Sequence, residues 1–383
     1  MDKKIYDYSL NPDKETLEQF KSCTKKSFVT AGALMPDAHS GYAAPIGSVL
    51  VTKGFVVPAW VGFDIGCGVL AAKIISGDTK DIKTTIEKNP EKIYENVLNM
   101  VPMGLGKIHK QTHNISKETK SDYNKLLQKY EKKPHDKNLL NFLKNSAIKH
   151  IGTLGSGNHF VELGFYENEI WIVVHSGSRG AGHKAAEKYM KKASKNVEDY
   201  EKTNPLDVNS DTGKEYLNLL DFCLGFAILN RKEIALTVLR SLEKTIGKQL
   251  KLSIWCNNNH NHAVYERGKY IHRKGATPAK KDEKGVIPAN MRDGSFLVQG
   301  LGNPKFLHSS SHGAGRIMSR SKAKLNISLT DFKKSMEGIK GTITQKTIDE
   351  APMAYKNISD VLKYQKESIK IVKHIKPIIN WKG

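Results

Sequence analysis

The amino-acid sequence predicts an α+β fold, and three observations support this prediction. Short runs rich in β-branched and other apolar residues lie beside segments rich in glycine and histidine. Between them lie lysine-rich segments whose apolar residues recur at helical spacing. The two kinds of segment do not alternate with the regularity of a doubly wound parallel sheet. We therefore expect mixed and antiparallel sheets with surrounding helices, in a single domain over residues 1–383.

The elements can be assigned in order along the chain. Strands are predicted at 46–51, 69–75, 170–174, 252–255 and 296–299. Helices are predicted within 82–100, 120–148, 183–202 and 213–249, and again in the last sixty residues. The lysine-rich stretch 107–149 indicates two helices separated at Pro134. We interpret it as a solvated surface insertion, and an RNA-facing lobe is the alternative explanation of its charge.

The composition excludes several classes of protein. Hydrophobic residues make up 39% of the 383 residues, which suffices for a core and is too apolar for a disordered chain. The four cysteines lie far apart without a CxxC pair, so we expect reduced thiols in a cytoplasmic protein rather than a disulfide framework. Neither a signal peptide nor a stretch of about 20 apolar residues is present, so no membrane partner is expected.

The net charge of +22 favours a polyanionic partner, because each phosphate that a protein neutralises releases a counterion. A general bias toward lysine in the source proteome explains the same charge equally well. Charge alone therefore leaves nucleic acid as one of two interpretations.

Residues suited to chemistry are concentrated in four Gly/His-rich segments. In VGFDIGCGV, Asp64 and Cys67 lie three residues apart between glycines, so one turn could direct a carboxylate and a thiolate at one point. Taken alone, a buried cysteine beside a turn-forming aspartate is the more common arrangement. In GTLGSGNHFVEL, His159 follows a glycine-rich turn, and in HSGSRGAGH, His175 ends a predicted strand beside Arg179. The latter pattern is typical of a phosphate or metal site.

The other two segments add further histidines and two arginines. His260 and His262 in CNNNHNHAVYE would face the same side of a strand. In SSSHGAGRIMSR, His312 precedes Arg316 and Arg320, which would share one face if the segment were helical. Two guanidinium groups beside a histidine favour phosphate binding.

The candidate metal ligands offer oxygen, sulfur and nitrogen donors. They are Asp64, Cys67, His159, His175 and His260. Such a mixed set suits two Mn²⁺ ions, and Zn²⁺ is the alternative because of the thiolate. Mg²⁺ is disfavoured because it rarely takes imidazole or sulfur.

Eight strings occur in one order from Met35 to Gly383. They are MPDAHSGYAAPIGSV, VGFDIGCGV, GTLGSGNHFVEL, HSGSRGAGH, HNHA, HRKGATPA, SSSHGAGRIMSR and the terminal KG. In this order they resemble the RtcB family of RNA-splicing ligases. The resemblance implies a distinctive α+β fold and a GTP- and Mn²⁺-dependent enzyme.

The reaction that the resemblance implies joins an RNA 3′-phosphate or 2′,3′-cyclic phosphate end to a 5′-hydroxyl end. It proceeds through a GMP-histidine intermediate and an activated RNA-(3′)pp(5′)G end, in RNA repair or tRNA splicing. The implied partners are RNA molecules with such ends, and an archease-type activating protein is a partner that the family allows.

The resemblance also assigns roles by motif. The guanylylated histidine falls on His312, and the metal ligands fall on the five residues named above. Nucleotide contacts fall on Asn158, His159, Glu162, His260, Asn261, Pro288, Met291, Ser295, His312, Gly313, Ala314, Gly315 and Lys382. Phosphate- or RNA-binding positions fall on Arg179, Arg316 and Arg320. Supporting roles are expected for Asp37, His39, His183, His262 and His272, which occur in the same motifs.

One loop departs from the family pattern. Where members usually carry a PGSMGT-type loop, this chain has IPANMRDGSF, in which Ala289 and Asn290 do not match. Because loss of a glycine restricts the backbone angle φ, we expect a reshaped nucleotide pocket.

Two other functions fit parts of the pattern. A metal-dependent RNA phosphodiesterase or cyclic-phosphate hydrolase would need the metal ligands and arginines but not His312, and the altered loop supports it. A non-catalytic RNA-binding or damage-sensing protein fits the charge, but the complete ligand set argues against it.

Overall fold

A computed structural model describes residues 3–75 and 78–383 and confirms the α+β class. The strands in this part of the chain are β1 (Lys4–Asp7), β2 (Val29–His39), β3 (Ile46–Thr52), β4 (Phe55–Val56), β5 (Gly68–Ile74), β6 (Phe160–Tyr166), β7 (Glu169–Ser176), β8 (Leu206–Asp207), β9 (Leu252–Asn259), β10 (Asn261–Glu266), β11 (Lys269–Lys274), β12 (Ala276–Pro278), β13 (Lys284–Pro288), β14 (Ser295–Gly300), β15 (Ser309–Ser311), β16 (Lys340–Gly341) and β17 (Ile369–Lys382).

The α-helices of the same residues surround these strands. They are α1 (Lys14–Thr24), α2 (Pro58–Val61), α3 (Thr79–Lys88), α4 (Pro90–Met100), α5 (Lys117–Glu131), α6 (Lys137–Asn145), α7 (Arg179–Ala193), α8 (Asp211–Ile246), α9 (Arg320–Asn326), α10 (Leu329–Ser335) and α11 (Ile358–Tyr364). Within the described ranges, no helix combines the length and apolar character needed to cross a bilayer.

Two large sheets form the framework. One has five strands in the order β1-β2-β3-β11-β10. The other has eight, in the order β13-β14-β17-β6-β7-β5-β9 with β16 beside β17. Pairing is antiparallel except for the parallel pairs β1–β2 and β16–β17. The prediction of mixed and antiparallel sheets is therefore confirmed.

The eight-stranded sheet curls so that its end strands, β13 and β9, come into contact. Side chains alternate between its two faces. In β7, Ile172 and Val174 pack in the core beneath α8, whereas Trp171 and Val173 face the interior of the curl. By this alternation, His175 lies on the same face of the strand as Trp171 and Val173. The sheet therefore directs His175 into its interior at the end of the strand.

The five predicted strands are confirmed as parts of β3, β5, β7, β9 and β14, with ends that differ by up to four residues. The helices predicted within 82–249 are confirmed as α3 to α8, and the break at Pro134 separates α5 from α6. Tyr123 and Tyr130 of α5 are buried in one core cluster with Phe222 of α8. The lysine-rich stretch is thus anchored in the core by its apolar face.

The prediction of helix is wrong for the C-terminal end of the last sixty residues, which forms β17. This strand lies between β14 and β6, and both of its edges are paired. Ile375, Ile379 and Trp381 are buried within it. Pro377, which lacks an N–H, lies where the pairing with β6 becomes irregular. Lysines three residues apart, at 370, 373 and 376, hid this strand, because that spacing resembles the polar face of a helix.

Candidate active site

One cavity of about 980 Å³ collects most of the predicted site residues. Its walls come from turns at the ends of strands: the turn after α2, the turn before β6, the turn between β9 and β10, and the segment after β15. Turns leave backbone groups and polar side chains free, so this is where the fold can present chemistry.

The turn after α2 presents Asp64 and Cys67. Gly62 ends the helix with φ +87°, and Gly66 has φ +73°. A Cβ atom on Gly66 would lie 2.9 Å from the Cβ of Ala227 in α8. Glycine is therefore required at residue 66 both for backbone angle and for space, and the turn is held tightly against α8.

The three predicted metal-binding histidines arrive on neighbouring strands. His159 immediately precedes β6, His175 lies near the end of β7, and His260 lies in the turn between β9 and β10. In the sheet β6 is next to β7, and β7 and β9 both flank β5. The three imidazoles therefore meet at one edge of the curled sheet.

The predicted metal ligands form two groups that share one thiol. Cys67 Sγ lies 3.2 Å from His175 Nε2, which is 3.3 Å from His260 Nε2. Cys67 Sγ also lies 3.4 Å from His159 Nε2, which is 2.8 Å from Asp64 Oδ2. Each set of three donor atoms fits around one ion.

The donor chemistry of this cluster fits a divalent cation. Burial lowers the pKa of His175 and His260 well below the ordinary value, which keeps these rings in the neutral form that metals bind. Burial, reinforced by Asp64, raises the pKa of Cys67. Burial alone would raise the pKa of Asp64 too, but His159, Arg179 and Cys67 together hold it well below its usual value. A bound cation is the natural charge partner for this thiol and carboxylate.

His312 lies beside the cluster, and its ring centroid is 4.8 Å from that of His260. Its Nδ1 lies 2.7 Å from Oδ2 of Asp37, a fully buried carboxylate. The same oxygen accepts hydrogen bonds from the backbone N–H groups of His312 and Gly313. Burial opposes ionisation of Asp37, but His312 lowers its pKa overall. An ionised Asp37 must accept from Nδ1–H, which leaves the lone pair on Nε2.

A second cluster of charges surrounds Glu350 on another part of the cavity wall. Lys382 Nζ and Arg320 Nη1 each lie 2.5 Å from this carboxylate, and Arg316 Nη1 lies 3.5 Å away. The hydroxyl of Tyr355 donates to it at 2.5 Å. Burial opposes ionisation of Glu350, but Lys382 and Arg320 lower its pKa to about 2. One carboxylate therefore holds three cations in fixed positions.

Most of the predicted residues line the cavity. They are Asp64, Cys67, Asn158, His175, His260, Asn261, Pro288, Met291, His312, Gly313, Ala314, Gly315, Arg316, Arg320 and Lys382. His159 lies behind Asp64 and Cys67. Glu162 and Ser295 lie behind the wall, with their side chains buried beside each other. Burial raises the pKa of Glu162 to about 8.

Three details differ from the sequence-based expectations. Arg179 lies behind His159 with its guanidinium over Gly155, and it does not line the cavity. The segment from His312 to Ser319 is not helical and α9 begins only at Arg320, so the two arginines converge through Glu350 rather than along one helix face. His262 is turned away from His260, and its Nε2 lies 3.1 Å from Arg273 Nη1.

The altered loop is accommodated without strain. The residue of this loop with a positive φ is Gly294, and this chain has a glycine there. The φ angles of Ala289 and Asn290 are not positive. Asn290 Oδ1 accepts from the backbone N–H groups of Arg292 and Asp293 and closes the turn. The non-glycine residues at 289 and 290 therefore leave the loop unstrained, and the expected reshaping of the nucleotide pocket stays a prediction. The loop forms part of the cavity wall.

Sequence reasoning missed several residues of the site. Asp37 was expected only to play a supporting role, and Glu350, Tyr355 and Lys274 were not singled out. An acidic pair in a lysine-rich region, as in TIDEAPMAY, was the available signal for Glu350. Lys274 lies in the quoted string HRKGATPA, but the sequence alone does not show that its side chain is buried.

Comparison with known proteins agrees with the motifs around this cavity. A family model described as tRNA-splicing ligase RtcB matches residues 19–383. The chain belongs to the RtcB family. It is 33% identical to the RNA-splicing ligase RtcB of Escherichia coli K12, over 92% of this chain and 90% of that protein. It is 31% identical to the tRNA-splicing ligase RtcB of Nanoarchaeum equitans, over 91% and 87% respectively. The resemblance to the RtcB family that the motifs indicated is thus confirmed.

Proposed function

We propose that this chain is a GTP- and Mn²⁺-dependent RNA ligase that joins RNA 3′-phosphate or 2′,3′-cyclic phosphate ends to 5′-hydroxyl ends, in RNA repair or tRNA splicing. The observation that carries the proposal is the position of His312, which is oriented by Asp37 and lies against His260 of the metal-binding cluster. The names of the RtcB relatives support RNA ligation. The four free cysteines support a reducing compartment such as the cytoplasm.

In this proposal the two donor groups that share Cys67 hold two Mn²⁺ ions. The bound ions supply positive charge that stabilises phosphoryl oxygens during transfer. Asp64 and His159 complete one group, and His175 and His260 complete the other. Arg231 of α8 supports both, because it donates to the backbone carbonyls of Gly66 and Ser176.

His312 supplies the nucleophile in this mechanism. Nε2 attacks the α-phosphorus of GTP, a P–N bond forms, and pyrophosphate leaves with the electrons of the broken P–O bond. Asp37 holds the ring and stabilises the positive charge that develops on it. Water first opens a 2′,3′-cyclic phosphate end to a 3′-phosphate, and the 2′-oxygen leaves as a hydroxyl. An oxygen of the RNA 3′-phosphate then attacks the phosphorus of the GMP on His312, the P–N bond breaks, and RNA-(3′)pp(5′)G forms. The 5′-hydroxyl finally attacks the 3′-phosphate and releases GMP.

Buried oxygens near the cavity suit a nucleotide base. Asn380 lines the cavity, and its Oδ1 has no hydrogen-bond partner among the described residues. The buried side chains of Glu162 and Ser295 lie beside each other behind the same wall. Unpaired buried acceptors are costly unless a ligand supplies donors, and guanine carries N–H donors on one edge. The cations around Glu350 suit the phosphates of a nucleotide. The proposal therefore assigns guanylate to this side of the cavity.

The test uses the whole chain with radiolabelled GTP and Mn²⁺, followed by RNA with the proposed ends. We expect a covalent GMP adduct and then a ligated RNA that carries the splice-junction phosphate. Release of a bare 3′-phosphate from a cyclic-phosphate end, without adduct or ligation, would instead support the hydrolase alternative. Binding of RNA without any metal requirement would support the non-catalytic alternative.

Replacing Asp37 with asparagine is expected to slow formation of the GMP adduct by about a hundredfold or more. The amide can donate to His312 and thereby favour the tautomer with its proton on Nε2, which is the wrong one for attack. The measurement is the rate of labelling by GTP, with Asp221→Asn as a control because the Asp221 side chain is 57% exposed and does not line the cavity. An unchanged rate in Asp37→Asn would contradict the orienting role.

A further inference from the structure

Among the described residues that line the cavity, one buried cation has no carboxylate partner. Lys274, the last residue of β11, is only 6% exposed and lines the cavity. In the described structure, the side chain of Lys274 makes a single hydrogen bond, from Nζ to the carbonyl oxygen of Ala59 at 3.3 Å. Arg316, Arg320 and Lys382, by contrast, are all paired with Glu350. An uncompensated buried charge is destabilising, so its presence in a cavity indicates an anionic ligand.

Lys274 is fixed close to the proposed nucleophile. The next residue, Gly275, has φ +62°, and a Cβ atom there would lie 3.0 Å from Cε1 of His312. The backbone N–H of Gly275 donates to Asn261 Oδ1 at 2.8 Å. The position of β11 relative to the His312 ring is therefore set by close backbone packing. Burial lowers the pKa of Lys274 to about 8, so the ammonium is still charged at pH 7.

A series of three aromatic rings lies next to the ammonium group of Lys274. Lys274 Nζ lies 5.6 Å from the ring centroid of Tyr42, which lines the cavity and is 67% exposed. The Tyr42 ring lies edge-on to Phe63 at 6.0 Å, and Phe63 stacks on the exposed His183 ring at 5.1 Å. Three rings thus lead from the cavity to the outer surface. This is the arrangement of a platform on which bases can stack.

We propose that Lys274 and Tyr42 form a subsite for the RNA strand next to its reacting end, with Lys274 binding a backbone phosphate and Tyr42 stacking on a base. The inference rests on the proposed function, because it assigns the occupant as substrate RNA. An RNA strand whose end reacts at His312 must extend from the cavity into solvent, and the exposed rings lie along such a path. GTP ends within the cavity and needs no path of this kind.

The test measures binding of a single-stranded RNA with a 3′-phosphate, by fluorescence anisotropy at several salt concentrations. Lys274→Met is expected to weaken binding about tenfold and to reduce the slope of log K against log salt by about 0.7, the value for one phosphate on a single strand. Tyr42→Ala is expected to weaken binding about tenfold without changing the slope, whereas Tyr42→Phe keeps the ring and the affinity.

Tyr265→Ala is the matched control, because Tyr265 is similarly exposed at 64% and does not line the cavity. Tyr42 is largely exposed, so its substitution does not threaten folding. Wild-type affinity and salt slope in both Lys274→Met and Tyr42→Ala would overturn the subsite. Loss of the GMP adduct in Lys274→Met, with RNA binding intact, would also overturn it by assigning Lys274 to the nucleotide.

The labelling of the wild type by GTP separates this inference from the proposed function. If the wild type forms the adduct but the variants bind RNA normally, the proposed ligase function is supported and the proposed subsite is wrong. If the wild type forms no adduct but the variants lose RNA binding as described, the proposed ligase function is wrong and the RNA-binding subsite is supported.

Discussion

Replacing His312 with alanine is expected to abolish the covalent GMP adduct and to reduce ligation of 3′-phosphate RNA by more than about 10⁴-fold. The imidazole is the proposed nucleophile, and no other histidine in the described cavity has both a carboxylate partner on Nδ1 and a position outside the two metal-binding groups. The measurement is the radioactive label that stays on the protein after incubation with radiolabelled GTP. A phosphoramidate survives alkali and is lost in acid, so the label is tested for stability in both.

The His312→Ala variant should fold normally. Asp37 would keep its hydrogen bonds from the backbone N–H groups of residue 312 and Gly313, so the buried carboxylate is not left without donors. His113→Ala is a suitable control, because His113 is an exposed histidine outside the cavity. Label that persists in His312→Ala would mean that another residue carries the guanylate.

The parts of the site that sequence motifs predict are those carried by glycine-rich turns. Gly62 and Gly66 make the turn that presents Asp64 and Cys67, and such glycines are visible in the sequence. His175 could be assigned to a strand end because its strand is short and apolar. Their assignment as metal ligands remains a prediction, but the structure brings the side chains of these segments within contact distance of one another.

The parts that sequence could not predict depend on burial and on distant pairing. Asp37 is 275 residues from His312, and only the folding of β2 beside the β15 segment brings them together. Lys274 is one lysine among many until the structure shows it buried without a carboxylate. For the fold, β17 was mistaken for helix because its lysines follow a helical spacing, and no local pattern records that other strands cover both its edges.

Replacing Cys67 with alanine is expected to weaken binding at both metal positions by more than about 100-fold each, because its sulfur belongs to both donor groups. A substitution of His260 or of Asp64 removes a donor from one group only. We therefore expect Cys67→Ala to bind no Mn²⁺ at micromolar concentrations, while His260→Ala and Asp64→Ala each retain one ion. Equilibrium dialysis followed by metal analysis measures these stoichiometries directly, without any assay of ligation.

Cys256→Ala is the matched control for this experiment. Cys256 is also a buried free cysteine on a strand next to β5, but it belongs to neither donor group. Its alanine variant should bind two ions, as the wild type should. Two ions bound by Cys67→Ala would mean that the thiol is only a packing group, and one ion bound would mean that it serves a single metal. Only the loss of both ions agrees with the proposal that this sulfur, which lies 3.2 Å from His175 and 3.4 Å from His159, serves two metal sites.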